Sequence, residues 1–152
     1  MISKDNIVKY IDEGFGDKDY FIVEIIINNQ NEIIILIDNQ KGINIKECVE
    51  ISRYLRLNLG DELDGYELQV SSPGLGQPFK VIEQYKKNIG KQVEIVSIEG
   101  IKTVGKLNFV SDEFIEIEEQ IKIKSKKNIK EIKNIKIEFS KIKSTKEVIK
   151  IN

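Results

Sequence analysis

Both prolines of the chain, Pro73 and Pro78, stand within one eight-residue stretch, Ser71-Ser72-Pro73-Gly74-Leu75-Gly76-Gln77-Pro78. Proline has no backbone N–H and restricts the residue before it, so neither a helix nor a central strand runs through this stretch. The apolar pattern also differs on its two sides. Before it, helical spacing alternates with short β-branched runs; from Lys91 onward the period is two. A chain broken in this way is expected to fold as two parts of different architecture. Its 152 residues suffice for one ordinary domain or two small ones.

In the first part, Ile7, Val8 and Ile11 have helical spacing, with Asp5 placed to cap the helix and Gly14 to end it in the left-handed region. Residues 20–27 and 32–38 are rich in isoleucine and flank the turn-forming run 28–31, which predicts a hairpin covered on one face by helices. Asn44 stands three residues before Glu47, a capping-box spacing that starts a helix over 45–59. Ile45, Cys48, Val49, Ser52, Leu55 and Leu59 are expected on its buried face, and Gly60 ends it. A third strand follows at 65–70. Pro73-Gly74 then suits the centre of a type II turn, with Gly74 left-handed, and 79–88 reads as a short helical connector.

In the second part, strands are expected at 92–98, 101–110, 114–118, 132–139 and 147–151, with a loop or one helical turn at 125–130 and a short 3₁₀ turn at 140–143. Gly105, inside the second of these strands, signals a bulge or a bend. Five short strands in about 60 residues favour closure, which removes exposed edges. The expected fold is therefore α+β: an N-terminal helix–strand–strand–helix–strand domain over residues 1–87, then a C-terminal SH3-like small β-barrel over 88–152.

The residue types exclude much chemistry. The chain has no His and a single Cys, Cys48, so it can build neither a His-based triad, nor an internal disulfide, nor a His- or Cys-rich metal site. Cys48 faces a core and is read as inert packing. Ser71 and Ser72 have no imidazole to activate them and no S-x-x-K pattern. Their turn could also bind an anion through its N–H groups or fix the exit direction of the third strand; the structural reading is favoured. Asp38, Asp61, Glu62 and Asp64 could meet a magnesium ion, but loop acids more often serve solvation. Neither a Walker loop nor a G-x-G-x-x-G fingerprint occurs. No metal or cofactor is expected. Hydrophobic residues make up 40% and charged residues 32%, a soluble globular composition. No apolar run approaches the roughly 20 residues of a membrane span, and the N-terminus lacks a signal-peptide core. A cytoplasmic protein without membrane contact is expected.

The net charge of −1 hides an asymmetry: residues 1–88 carry −5, residues 89–152 carry +4, and 121–152 alone carry +8. The basic segment holds Lys122, Lys124, Lys126, Lys127, Lys130, Lys133 and Lys136, interleaved with isoleucines. On strands this alternation would place lysines outward and isoleucines inward. Such a face could contact RNA phosphates, meet an acidic protein surface, or be a solvated edge in a chain with 22 Lys and 2 Arg. Aromatic residues for base stacking are scarce there, with only Phe139 near.

The run Leu68-Gln69-Val70-Ser71-Ser72-Pro73-Gly74-Leu75, followed by Pro78, resembles the signature of the ribosome maturation factor RimP family. Asp38, Gly42 and Cys48 stand at spacings similar to that family's, and Tyr85, Gly90, Lys91 and Ile142 are compatible with it. One departure is clear: Gly76-Gln77 stands where the family usually has Asp-Arg. The resemblance implies a non-enzymatic, chaperone-like assembly factor. Such a factor binds the immature small ribosomal subunit and promotes maturation of small-subunit rRNA. The implied partners are that subunit, its rRNA and its ribosomal protein number twelve, with the factor itself a monomer. It also implies that Ser71, Ser72, Pro73, Gly74, Leu75 and Pro78 form an interdomain or interaction element. A general RNA-binding module is the alternative from the residues alone, and a serine hydrolase a distant third.

Overall fold

The computed structural model describes residues 2–122 and 130–149. Its contacts divide the chain into two units, Met1–Pro73 and Gly74–Asn152.

The first unit runs α1 (Lys4–Phe15), β1 (Phe21–Ile27), β2 (Glu32–Asp38), α2 (Ile45–Leu59) and β3 (Glu67–Ser71). The strands form one sheet in the order β1-β2-β3. β1 and β2 are an antiparallel hairpin, whereas β3 is parallel to β2. A parallel neighbour needs a crossover connection, and α2 supplies it. Along β2, Ile33, Ile35 and Ile37 are fully buried and share a core with Ile7 and Ile11 of α1 and Ile51, Leu55 and Leu59 of α2. Burial of each such side chain contributes about 1.5–3 kcal/mol. The expected order of elements and the helical cover on one sheet face are both found.

Three local expectations are corrected here. The cap of α1 is Ser3, whose Oγ accepts from the Asn6 N–H at 3.2 Å. Gly14 does not end this helix but lies inside it, and an added Cβ would stand 2.7 Å from the Tyr54 ring. Its role is close approach of α1 to α2. In α2 the buried stripe is Cys48, Ile51, Leu55 and Leu59, while Ile45 and Val49 are 84% and 46% exposed. Only one narrow stripe of a helix can face the sheet, and the stripe through Ile51 excludes the one through Ile45.

The second unit contains α3 (Ile82–Lys87), β4 (Gln92–Ser97), β5 (Lys102–Val110), β6 (Phe114–Lys122), β7 (Lys130–Glu138) and β8 (Ile142–Glu147). These strands make one antiparallel sheet, ordered β7-β6-β5-β4-β8. Its core holds Tyr85, Val93, Ile95, Leu107, Ile115 and Ile117. The β6 backbone passes close over Gly105: a Cβ there would meet the Glu118 carbonyl oxygen at 2.7 Å. The register also shifts between Leu107 and Phe109.

The closed SH3-like barrel is not found. β7 and β8 are the two ends of the sheet, with no pairing between them among the described residues. The tight turn Phe139–Lys141 joins them, and β8 instead takes the free edge of β4. An apolar groove of about 290 Å³, lined by Ile95, Ile98, Ile101, Ile135 and Ile137, lies open between β4 and β7. The last strand also begins earlier than the sequence suggests, at Ile142, where it pairs with Ser97 of β4; Thr145 points inward, and its Oγ1 accepts from the Tyr85 hydroxyl at 2.7 Å. The segment 74–87, which the sequence groups with the first part, supplies Phe79 and Tyr85 to the second core.

The signature turn also differs. Gly76, not Gly74, has the left-handed backbone, with φ of 74°. The turn is centred on Leu75-Gly76, two residues later than Pro73-Gly74 suggests.

Candidate functional site

Because β2 and β3 run in parallel, their C-terminal ends lie side by side, with Leu36 paired to Ser71. Asp38 ends β2 and Ser71 ends β3. The chain leaves β2 through a loop in which Gly42 adopts φ of 92° and donates its N–H to the Asn39 carbonyl at 3.2 Å. It then enters α2 at Asn44. The crossover thus brings the start of α2 next to the end of β3. Between them is a groove of about 180 Å³ lined by Ile43, Ile45, Cys48, Val49 and Val70, with Asn44, Ser71 and Ser72 as its polar members. Of the family-like positions, the structure gathers Cys48, Ser71 and Ser72 in this groove. Asp38 is close enough for its charge to act on the Cys48 thiol.

The electrostatics of the groove disfavour a reactive thiol. Burial raises the Cys48 thiol above its usual range, and the charges of Glu47 and Asp38 raise it further. The thiolate, the reactive form, is disfavoured. Among the described residues, the groove lining contains neither a carboxylate nor an amine that could deprotonate Ser71 or Ser72. The N-terminus of α2 is occupied by its own cap: Asn44 Oδ1 accepts from the Glu47 N–H at 2.8 Å, and the Asn44 N–H donates to Glu47 Oε1 at 3.1 Å. Glu47 also accepts from the Tyr20 hydroxyl at 2.6 Å, and these bonds hold its carboxyl below the usual range. An anion would meet the Glu47 carboxylate there. What the groove can hold is an apolar side chain, with hydroxyls at the rim. Ile45 and Val49 belong to it because they lie off the buried stripe of α2. Among the described residues, no group of three or more acids or Cys gathers to hold a metal ion, and no helix is long and apolar enough to cross a membrane.

The rest of the signature lies beyond the groove's lining. Pro73 closes the first unit, while Gly74, Leu75 and Pro78 open the second. Gly74 and Leu75 are exposed and Pro78 is half-buried.

The basic segment is arranged differently from the sequence expectation. Lys124, Lys126 and Lys127 lie outside the described residues. Lys122 and Lys130 are register partners on β6 and β7. Lys133 pairs with Glu119, and Lys136 with Glu116. Residues three apart on a strand point to opposite faces, so Lys133 shares a face with Ile135 and Ile137, while Lys136 shares one with Ile132, which is 56% exposed. Lysines and isoleucines are therefore not sorted onto separate faces, and β6 sets acids against two of the lysines. The Lys136 ammonium sits 4.1 Å from the centroid of the Phe114 ring.

Comparison with known proteins agrees with the signature. Residues 11–76 match the model of the RimP N-terminal domain. The chain is 33% identical over 118 residues to the ribosome maturation factor RimP of Porphyromonas gingivalis, covering 78% of each chain. It is 33% identical over 120 residues to the protein of that name in Flavobacterium psychrophilum, covering 78% of this chain and 77% of the other. A third, from Chlorobium chlorochromatii, is 27% identical over 165 residues and covers 91% of this chain and 92% of its own. With a third of the aligned residues identical over more than three quarters of both partners, the chain belongs to the RimP family of ribosome maturation factors.

Proposed function

We propose that this chain is a ribosome maturation factor that acts by binding, without catalysis. It associates transiently with the immature small ribosomal subunit, promotes maturation of its rRNA, and leaves as the mature contacts form. Its partners on this reading are that subunit, its rRNA and its ribosomal protein number twelve; it works as a monomer in the cytoplasm. The relatives' shared name supports the role in ribosome maturation. The observation that carries the binding mechanism is the groove at the parallel strand ends. It places Ser71 and Ser72 of the signature beside solvent-exposed Ile45 and Val49, and isolated apolar side chains grouped in a groove suit a partner's side chain better than water.

The test is cosedimentation of the full chain with immature and with mature small subunits. Preferential association with the immature particle, and accumulation of that particle when the protein is deleted, is the expected result. Equal binding to both particles, with no assembly defect on deletion, would leave only a general RNA-binding module.

A further inference from the structure

The outer face of the second unit's sheet carries an aromatic pair set among acids. Phe109 is 45% exposed, although simple alternation from the buried Leu107 would turn it into the core. The register shift between Leu107 and Phe109 adds a residue to β5, so Asn108 and Phe109 both reach solvent. Phe114 lies 5.7 Å away, the two rings tilted by 35°. The Lys136 ammonium stands 4.1 Å from the Phe114 centroid, so one ring of the pair already holds a cation. Glu116 is the register partner of both Phe109 and Lys136, and Glu118 that of Lys106. Asp112, Glu113 and Glu138 line an adjoining cleft of about 420 Å³ with Phe114, Phe139 and Lys136. These three acids form no ion pair among the described residues. Five acids against two lysines leave the patch at a formal charge of −3. The basic end of the hairpin is elsewhere: along the β6–β7 ladder Phe114 pairs with Glu138 at one end, and Lys122 pairs with Lys130 at the other.

We propose that this face docks an arginine-bearing basic segment of a partner protein, with a guanidinium stacked on Phe109 and paired to the carboxylates beside it. Charge decides the class of partner, because a net negative patch attracts a cationic peptide and repels a phosphate backbone. The ring then decides the side chain. A guanidinium is planar and weakly hydrated, so it can lie flat on an aromatic face while its N–H groups fork onto a carboxylate. An ammonium is a strongly hydrated point charge without that geometry. Lys136 occupies Phe114, whereas no cation covers Phe109 among the described residues. Phe109 is therefore the ring open to an incoming cation, and the three acids of the cleft outweigh the repulsion from Lys136. The proposal rests on the assembly role proposed above and gives that role a protein contact on the second unit.

The full chain is titrated against a fluorescein-labelled peptide of alternating Arg and Ser, with binding read by anisotropy. The same peptide with Lys in place of Arg should bind more weakly. Phe109→Ala should weaken binding of the arginine peptide about 2- to 30-fold. Phe109→Ile, which keeps an apolar surface but loses the ring, should weaken it likewise, and Phe109→Trp should preserve it. The double variant Glu113→Gln, Glu138→Gln should lower both the affinity and its dependence on salt. Lys136→Gln removes a repelling cation and should strengthen binding. All these side chains are surface-exposed, so thermal melts of the variants should match the parent. A labelled single-stranded oligoribonucleotide, titrated separately, should bind the parent no more tightly than it binds Phe109→Ala. Failure of the arginine peptide to bind, equal binding of the lysine peptide, or unchanged affinity in Phe109→Ala or Phe109→Ile would each overturn the proposal. So would weaker binding by Lys136→Gln, or RNA binding that depends on Phe109. The assembly reading fails separately, if the unaltered protein does not cosediment with immature subunits.

Discussion

The Tyr20 hydroxyl donates to Glu47 Oε2 at 2.6 Å, tying the entry of β1 to the first turn of α2. Glu47 is at once a capping residue and an acceptor across 27 residues of sequence. The Tyr20 bond is the main reason its carboxyl titrates low, with the backbone bond from Asn44 second. A carboxylate lowered in the folded state stabilises above its unfolded pKa, and this stability is lost as pH falls through the lower folded value. The contribution of Glu47 should therefore be full at neutral pH and disappear below the ordinary value of 4.5. Tyr20→Phe should bring the folded value closer to the unfolded one and shrink that acid-side loss. Urea melts across the acid range check this; an unchanged pH profile in Tyr20→Phe would show that the bond does not set the carboxyl.

In the second core, Tyr85 and Thr145 form a buried hydroxyl pair 2.7 Å apart, and burial raises the Tyr85 phenol above its usual range. Phe79 and Phe139 each meet the Tyr85 ring edge-on at 5.0 Å. Thr145→Val leaves the phenol buried with no acceptor and should cost about 1–3 kcal/mol. Adding Tyr85→Phe removes the stranded donor, so the double variant should be more stable than Thr145→Val alone. Denaturant melts of Thr145→Val, Tyr85→Phe and the double variant test this coupling.

At the signature turn, strain should concentrate at Gly76. With φ of 74°, it occupies a region that β-branched residues avoid, and an added Cβ would also stand 3.2 Å from Ile149 Cδ1. Gly76→Val should cost about 1–3 kcal/mol. Gly76→Asp should cost less, because Asp tolerates the left-handed region. Gly74→Ala should be nearly neutral, since the nearest atom, Gln77 Cγ, lies at an ordinary 3.4 Å. Thermal melts that rank Gly74→Ala below Gly76→Val in stability would contradict the turn geometry.

Element types were legible in the sequence because each rests on local pattern. The Asn44–Glu47 capping box forms as its spacing predicts, and the isoleucines of β2 alternate into the core. What the sequence could not resolve is a choice between apolar neighbours. Ile45 and Ile51 are equally hydrophobic, and only the position of the sheet decides which is buried. Gly14 reads as a helix stop until Tyr54 is brought against it from the other helix. The lysines of β7 form a basic run along the chain, but Glu116 and Glu119 stand opposite two of them, and pairing between strands is invisible in a linear charge count. The exposure of Phe109 is hidden for a related reason: a single added residue in β5 reverses its face. The groove depends on a parallel pairing of β2 with β3, which places Ser71 beside residues more than 20 positions earlier.

The groove itself gives the most direct functional prediction. Ile45 is the first residue of α2 and is 84% exposed. Replacing it with Asp removes no core contact and puts a negative charge in the first turn, where the helix dipole favours one. Ile45→Asp should therefore leave stability within about 0.5 kcal/mol of the parent. Ile51→Asp, on the fully buried stripe of the same helix, should unfold the first unit. If the groove receives an apolar side chain of the immature particle, a charge at its mouth should sharply reduce cosedimentation with that particle while circular dichroism and melts stay unchanged. Ile45→Val, which retains an apolar surface, should bind almost as the parent does. A folded Ile45→Asp variant that cosediments as well as the parent would remove the groove from the binding surface.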